Sequence, residues 1–185
     1  MTTLNHERIL RMIGISMQTP YTYILSEYCK NGSLDTYVQK HPGEVTVLQK
    51  LTWMREVAEG MTYLHSMKIT HRDLKLNNIL LTSDLHVKVG DLGTASTAHQ
   101  THRTRVGTLD HCAPEILDGR PYTQAVDVYS FAICLWSLFS GMPLYPSYTM
   151  YDIITRVTGG QRPSLDFITS PKLASLIQSC WNQEV

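Results

Sequence analysis

The sequence predicts an α+β fold: two strands near the N-terminus, then a mostly helical body that carries one small hairpin. Three observations predict it. Short apolar runs bounded by turn residues occur at Ile9–Ile15 and Tyr21–Cys29. Apolar residues recur at helical spacing through Val47, Leu51, Met54, Ala58 and Met61. Ala125–Ser140 is apolar on nearly every face, which marks a fully buried helix.

Taken in order, the two strands are joined by a turn at Gln18-Thr19-Pro20, and Asn31-Gly32-Ser33 is a second turn. Leu34–Gln39 reads as a short helix broken by His41-Pro42-Gly43. The next helix is predicted from about Thr46 to Ser66, with Leu48, Val57 and Leu64 widening its stripe. Ile79–Leu81 and Val87–Val89, joined through Thr82-Ser83-Asp84, form the hairpin. Asp91–Glu115 has no apolar period and reads as a long loop, a kind of segment that is usually functional. Gly141 is placed to end the buried helix. Shorter helices are predicted at Tyr148–Val157 and Pro171–Trp181.

The chain has 185 residues, enough for one domain with a real core, and a formal net charge of zero. That balance gives no basis for a nucleic-acid or membrane-surface role. The longest apolar stretch, near Tyr129–Phe139, is too short to span a bilayer, and Asn5, Glu7, Arg8 and Arg11 interrupt any leader-like run. Cys29, Cys112, Cys134 and Cys180 have neither zinc-finger nor redox spacing and read as reduced thiols of a cytoplasmic protein.

The run His71-Arg72-Asp73-Leu74-Lys75-Leu76-Asn77-Asn78 places an acid, cationic groups and an amide together, between a predicted helix and the hairpin. Phosphoryl transfer needs an aligned hydroxyl, metal ions bridging phosphates, and fixed positive charge where negative charge spreads. A lone loop aspartate is ordinarily a solvated residue, so the set carries the reading. Asp91-Leu92-Gly93 just past the hairpin, Ala113-Pro114-Glu115, and Asp127-Val128-Tyr129-Ser130-Phe131 follow in order.

With these motifs the chain resembles a eukaryotic protein kinase, from the end of its αC helix to its αH helix. The resemblance implies a protein-kinase-like fold, with incomplete N-lobe strands and hinge over residues 1–30 and a mostly helical C-lobe over 31–185. It implies ATP and Mg2+ as cofactors and a protein substrate. Asp73 would accept and orient the substrate hydroxyl, and Lys75 would contact the γ-phosphate. Asn78 and Asp91 would ligate magnesium. Ser26 would be a small gatekeeper, the backbone of Glu27 and Cys29 would bond adenine, and Leu80 would pack beneath it. Arg72 would pair with a phosphate on the activation loop, for which Thr94, Ser96, Thr97, Thr101 and Thr104 are candidate acceptors. Any one of them is equally readable as a solvated loop residue, and the basic run His99–Arg105 as loop surface. The Asp of Asp127–Phe131 would anchor the catalytic-loop backbone.

Lys75 in this run and Thr108 after Gly107 are the Ser/Thr-kinase form. Asn31-Gly32-Ser33-Leu34, Asp127–Phe131 and Cys180-Trp181 have a tyrosine-kinase flavour. That mixture resembles the tyrosine-kinase-like group, whose members are mostly Ser/Thr-specific. The sequence departs from the family in several places. Leu92 replaces Phe, His111 replaces the aromatic before Ala-Pro-Glu, and no Gly-x-Gly-x-x-Gly occurs. The family's N-lobe strand lysine and the αC glutamate that pairs with it are also not found, and Lys40 and Lys50, which follow the hinge segment, do not replace that lysine. Losing one preorganised donor costs roughly 10²–10³ in rate, so this chain alone is expected to be a weak enzyme. Exposed strand edges near the N-terminus are expected to invite aggregation. The competing readings are a non-catalytic kinase-like binding module, and a small-molecule phosphotransferase, which the Ala-Pro-Glu segment disfavours.

Overall fold

The computed structural model describes residues 4–97 and 107–182. The fold is α+β and packs as two compact units, Met1–Tyr63 with Asn77–Gly90, and Leu64–Leu76 with Asp91–Val185.

In the first unit, β1 (Met12–Gln18) and β2 (Tyr21–Ser26) form an antiparallel hairpin with Ile15 opposite Ile24 and Gln18 opposite Tyr21. The first strand starts three residues later than its apolar run suggests. Ile9 is instead buried in a parallel bridge to Val89, and the Leu10 amide donates to the Val89 carbonyl (2.8 Å). The second strand stops before Glu27, whose amide bonds the Arg11 carbonyl while its carboxylate takes the Arg11 amide (2.7 Å) and Lys88 (2.9 Å). Burial pushes the Glu27 carboxyl up, but the bonds from the Arg11 amide and Lys88 together outweigh it and hold the carboxyl below its usual range.

Helix α1 (Leu34–Lys40) begins where Ser33 accepts the Thr36 amide. Helix α2 (Val47–Ser66) is as long as its periodicity predicts, but its stripe is shifted. Val47, Leu48 and Leu51 are exposed, while Trp53, Met54, Val57, Met61 and Leu64 are buried. Glu56 is buried with them at 1 % exposure, and its charge hides it from any hydrophobic count. Its carboxylate accepts from the Val87 amide (2.8 Å) and His86 Nδ1 (2.8 Å) and pairs with Arg8 (3.2 Å). Trp53 donates to the Leu85 carbonyl (2.8 Å). These bonds fix the helix to the turn of the small hairpin.

In the second unit β3 (Ile69–Thr70) lies in the chain before that hairpin, whose strands are β4 (Ile79–Leu81) and β5 (Val87–Val89) of the first unit. The long segment after Asp91 is not wholly irregular. It carries a 3-10 turn at Leu92–Thr94, then β6 (Ser96–Thr97) paired antiparallel with β3, and a second 3-10 turn at Leu109–His111. Helix α3 (Pro114–Leu117) follows, opened by its proline at N1.

Helix α4 (Ala125–Ser140) buries ten of its residues, among them Ile133, Leu135 and Trp136, and donates from the Trp136 indole to the Ser164 carbonyl (2.8 Å). It ends at Gly141, whose φ of 64° is left-handed backbone that glycine adopts without strain. Helix α5 (Met150–Thr158) starts two residues later than predicted because Thr149 and Asp152 form a reciprocal capping box. Helix α6 (Pro171–Cys180) packs on α4 and buries Ile177.

Breaking a buried ion pair by removing one partner costs about 3–5 kcal/mol. Glu56→Ala is therefore expected to destabilise the first unit by roughly 3 kcal/mol or more, read as a lower urea midpoint with an unchanged slope; a loss within error of zero would contradict the role given to Glu56.

Candidate active site

The second unit contains most of the run that the sequence singles out. Its backbone follows a path few residues adopt. Arg72, a non-glycine residue, has φ 69°, which costs energy unless the surroundings enforce it. Asp127, in the first turn of α4 and 1 % exposed, supplies that enforcement. Its Oδ2 accepts the His71 amide (2.8 Å) and its Oδ1 the Arg72 amide (2.9 Å). His65 Nε2 donates to the same Oδ2 (2.8 Å). Gln124, just before α4, donates to the carbonyls of His65 (3.2 Å) and Ile69 (3.0 Å). The anchoring role expected for Asp127 is thus drawn in hydrogen bonds. His65 and Gln124 have no signal in the sequence that could have placed them there.

The segment after Arg72 is met from the other side by Gly107. Its φ is 95°, and a Cβ there would fall on the Arg72 carbonyl oxygen and within 3.4 Å of the Asp73 carboxylate. Only glycine permits that approach. It delivers Thr108 to Asp73. The Thr108 amide (2.7 Å) and hydroxyl (2.8 Å) both donate to Asp73 Oδ1. Lys75 Nζ donates to the Thr108 hydroxyl (2.6 Å) and pairs with Asp73 Oδ2 (3.0 Å).

Asp73, Lys75 and Thr108, read separately from the sequence, therefore close a triangle. Asp73 is only 8 % exposed, and burial raises its pKa. The bonds from Thr108 and Lys75 outweigh burial and hold the carboxyl below the usual aspartate range. Because the folded value lies below the unfolded one, this interaction stabilises the fold above the ordinary Asp range. It is lost as pH falls through the depressed value.

Cys112 lies close by, and burial, followed by the Asp73 and Asp110 charges, pushes its thiol up to about 12. It stays protonated at neutral pH and is no nucleophile. Asp110 is bonded by His111 Nδ1 (2.8 Å), and that bond outweighs burial to keep its carboxyl below the usual range. The His111 carbonyl accepts from Ser130 of α4 (2.8 Å).

Arg72 turns its guanidinium to the Thr94 carbonyl (2.6 Å) and the Tyr122 hydroxyl (3.3 Å). Of the candidate phosphate acceptors, Thr94 donates its hydroxyl to the His71 carbonyl (3.0 Å), and Ser96 pairs with Thr70 in the β3–β6 ladder. Thr97 pairs through its backbone with Ile69. Thr101, Thr104 and the run His99–Arg105 lie outside the described residues. Asp91 also has left-handed backbone (φ 54°); its carboxylate is exposed and caps no amide. The Cβ that Gly93 lacks would come within 3.2 Å of that carboxylate.

The remaining sequence candidates belong to the first unit. Asn78 is buried, and its carbonyl accepts the Gly90 amide (2.8 Å). Ser26 is exposed and faces Met12 across the strand pair. Cys29 is buried, and its carbonyl takes the Gly32 amide (3.1 Å). Leu80 bridges to Ser33 and contacts the position a Gly90 Cβ would fill.

The profile of the family described as protein tyrosine and serine/threonine kinase matches residues 1–185. The chain belongs to the protein kinase family. Among similar proteins, the RGS domain-containing serine/threonine-protein kinase A of Dictyostelium discoideum is 38% identical over 185 residues, covering 100% of this chain and 16% of that protein. The serine/threonine/tyrosine-protein kinase HT1 of Arabidopsis thaliana is 35% identical, covering 99% and 48%. The ephrin type-A receptor 3 of Danio rerio is 35% identical, covering 99% and 19%. The chain thus spans less than half the length of each of these relatives. Their mixed names agree with the mixed motifs of this kinase-family chain and with its likeness to the tyrosine-kinase-like group.

Leaving a buried donor unsatisfied costs about 1–3 kcal/mol. In Asp127→Ala the His71 and Arg72 amides lose their acceptor. They are expected to lose at least tenfold in hydrogen-exchange protection while the amides of β4 and β5 keep theirs; unchanged protection at 71 and 72 would contradict the anchoring.

Proposed function

We propose that this chain is part of a protein serine/threonine kinase domain that transfers the γ-phosphate of ATP to Ser or Thr hydroxyls of protein substrates. The observation that carries the reading is the Asp73–Lys75–Thr108 triangle. Asp73, kept ionised, accepts a bond from the incoming hydroxyl and takes its proton as the oxygen attacks. Lys75 has two partners now, and turning its ammonium toward the transferring phosphoryl group neutralises the charge that spreads there. Thr108 orients the carboxylate and keeps the loop that receives the substrate beside it.

Asn78 and Asp91 are the residues that would hold magnesium. Their donor set fits: an amide oxygen and an exposed, uncapped carboxylate are hard oxygen ligands, and Mg2+ ordinarily takes one or two carboxylates and keeps several waters. The metal would supply charge neutralisation across the phosphates. We assign adenine to the backbone of Glu27 and Cys29, with Leu80 beneath it and Ser26 leaving the space behind open. As lobes of the parent domain, which is a different cut from the packing units above, we divide the chain into 1–30 and 31–185. Arg72 is the natural partner for a phosphate placed on Thr94, Ser96, Thr97, Thr101 or Thr104. We place the protein in the cytoplasm, with protein substrates and ATP as its partners rather than nucleic acid. Its cysteines form no disulfide, and among the described residues no helix is long and apolar enough to cross a membrane.

Ligand that binds only the folded state raises the melting temperature. Millimolar Mg-ATP is expected to raise that of the full chain, and the rise should vanish in Asp91→Ala and when EDTA replaces magnesium. No shift in the parent chain, or one unchanged in Asp91→Ala, would overturn the nucleotide assignment.

A further inference from the structure

The turn at Asn31-Gly32 fastens two parts of the first unit and carries chemistry of its own. The Gly32 amide donates to the Cys29 carbonyl (3.1 Å), which closes the turn. Leu81, the last residue of β4, grips the same dipeptide at both ends. The Asn31 amide donates to the Leu81 carbonyl (3.1 Å), and the Leu81 amide donates to the Gly32 carbonyl (2.8 Å). The Asn31 side-chain amide donates to the Thr82 carbonyl (2.7 Å) and, at longer range, to the Ser83 carbonyl (3.4 Å). Ser33 bridges to Leu80 beside it. One asparagine thus clamps the segment after β2 to the turn of the β4–β5 hairpin.

The residue that follows makes this asparagine reactive. Of Asn5, Asn31, Asn77, Asn78 and Asn182, Asn31 alone precedes glycine. An asparagine deamidates when the next amide nitrogen attacks its side-chain carbonyl carbon. The new C–N bond closes a five-membered succinimide. The proton of the attacking N–H passes through water to the side-chain nitrogen, which leaves as ammonia. Water then opens the ring at either carbonyl and gives aspartate or isoaspartate; nothing is oxidised or reduced. Glycine has no Cβ to hinder the attack. In the folded unit both nitrogens are held, the Gly32 N–H by the Cys29 carbonyl and the Asn31 Nδ2 by the Thr82 carbonyl. The reaction therefore waits for the turn to open.

Neither product can close the clamp again. Aspartate turns an acceptor-only carboxylate toward the Thr82 and Ser83 carbonyls, where Asn31 supplied the donor. Isoaspartate routes the main chain through the former side chain. It adds a carbon between the Asn31 amide and the Gly32 carbonyl, the two groups that Leu81 grips. We propose that Asn31 is a deamidation site kept shut by the fold, and that its conversion, once the first unit opens, prevents the clamp from re-forming. The proposal does not rest on the kinase reading.

The test is to age the full chain at mildly alkaline pH, native and in guanidinium chloride, and to follow its tryptic peptides by mass spectrometry. Residues 31–40 form one such peptide, and fragmentation separates aspartate from isoaspartate. In denaturant Asn31 is expected to convert ahead of every other asparagine. In the native chain it should convert roughly tenfold or more slowly, the factor that two hydrogen bonds of ordinary strength supply. After ageing in denaturant and return to buffer, the denaturant midpoint of the parent chain should fall in proportion to conversion, and Asn31→Asp should show the low midpoint from the start. In Asn31→Gln a ring would need six members, so ageing should leave its midpoint where it began, whatever that value is. Equal rates in the native and denatured chain, another asparagine converting first, or a converted chain as stable as the unconverted one would overturn the proposal.

Discussion

The site in the second unit depends on one buried carboxylate. Asp127 accepts two consecutive backbone amides and a histidine N–H, and it does so from within a helix that buries ten of its residues. Water could satisfy those donors equally well on an exposed loop, but then the left-handed turn at Arg72 would have no reason to persist. With Asp127 in place the turn is fixed, and with it the direction in which Asp73 leaves the backbone. Gly107 then brings Thr108 to Asp73, so the chemistry is positioned by backbone contacts and not by side-chain reach.

The first unit is built on the same principle. Glu56 lies on α2 at 1 % exposure and gathers the Val87 amide, His86 and Arg8. Arg8 in turn also reaches Glu7 and Glu59 at 3.3 Å each. In both units a helix carries a carboxyl acceptor inward and uses it to fix a segment of irregular or hairpin backbone. A buried ion left alone would be costly, but the several donors collected at each carboxylate offset that cost.

Much of this was legible in the sequence because it is local. The apolar density of Ala125–Ser140 specifies a buried helix whatever surrounds it, and Gly141 marks its end. The order of the motifs points to the family, as the match over residues 1–185 bears out. What was not legible is set by partners far along the chain. Ile9 belongs by composition to the first strand, yet Val89 captures it. Val47 and Leu48 continue the α2 stripe on paper and are exposed in the fold, while Glu56, which breaks the stripe, is buried. His65 carries no mark that distinguishes it from any histidine near a helix end. Thr108 was readable as a candidate, but the Lys75–Thr108–Asp73 closure requires the Gly107 approach, which depends on a φ of 95°.

Thr108 and Lys75 keep Asp73 ionised and oriented. A carbon-detected NMR titration of the Asp73 carboxyl, in the parent chain and in Thr108→Ala, reads this out. The expected midpoint lies below the ordinary aspartate value of about 3.9 in the parent and moves upward in Thr108→Ala, because the side-chain bond that opposes burial is removed. A midpoint at or above the ordinary value in the parent, or one that Thr108→Ala leaves in place, would contradict it.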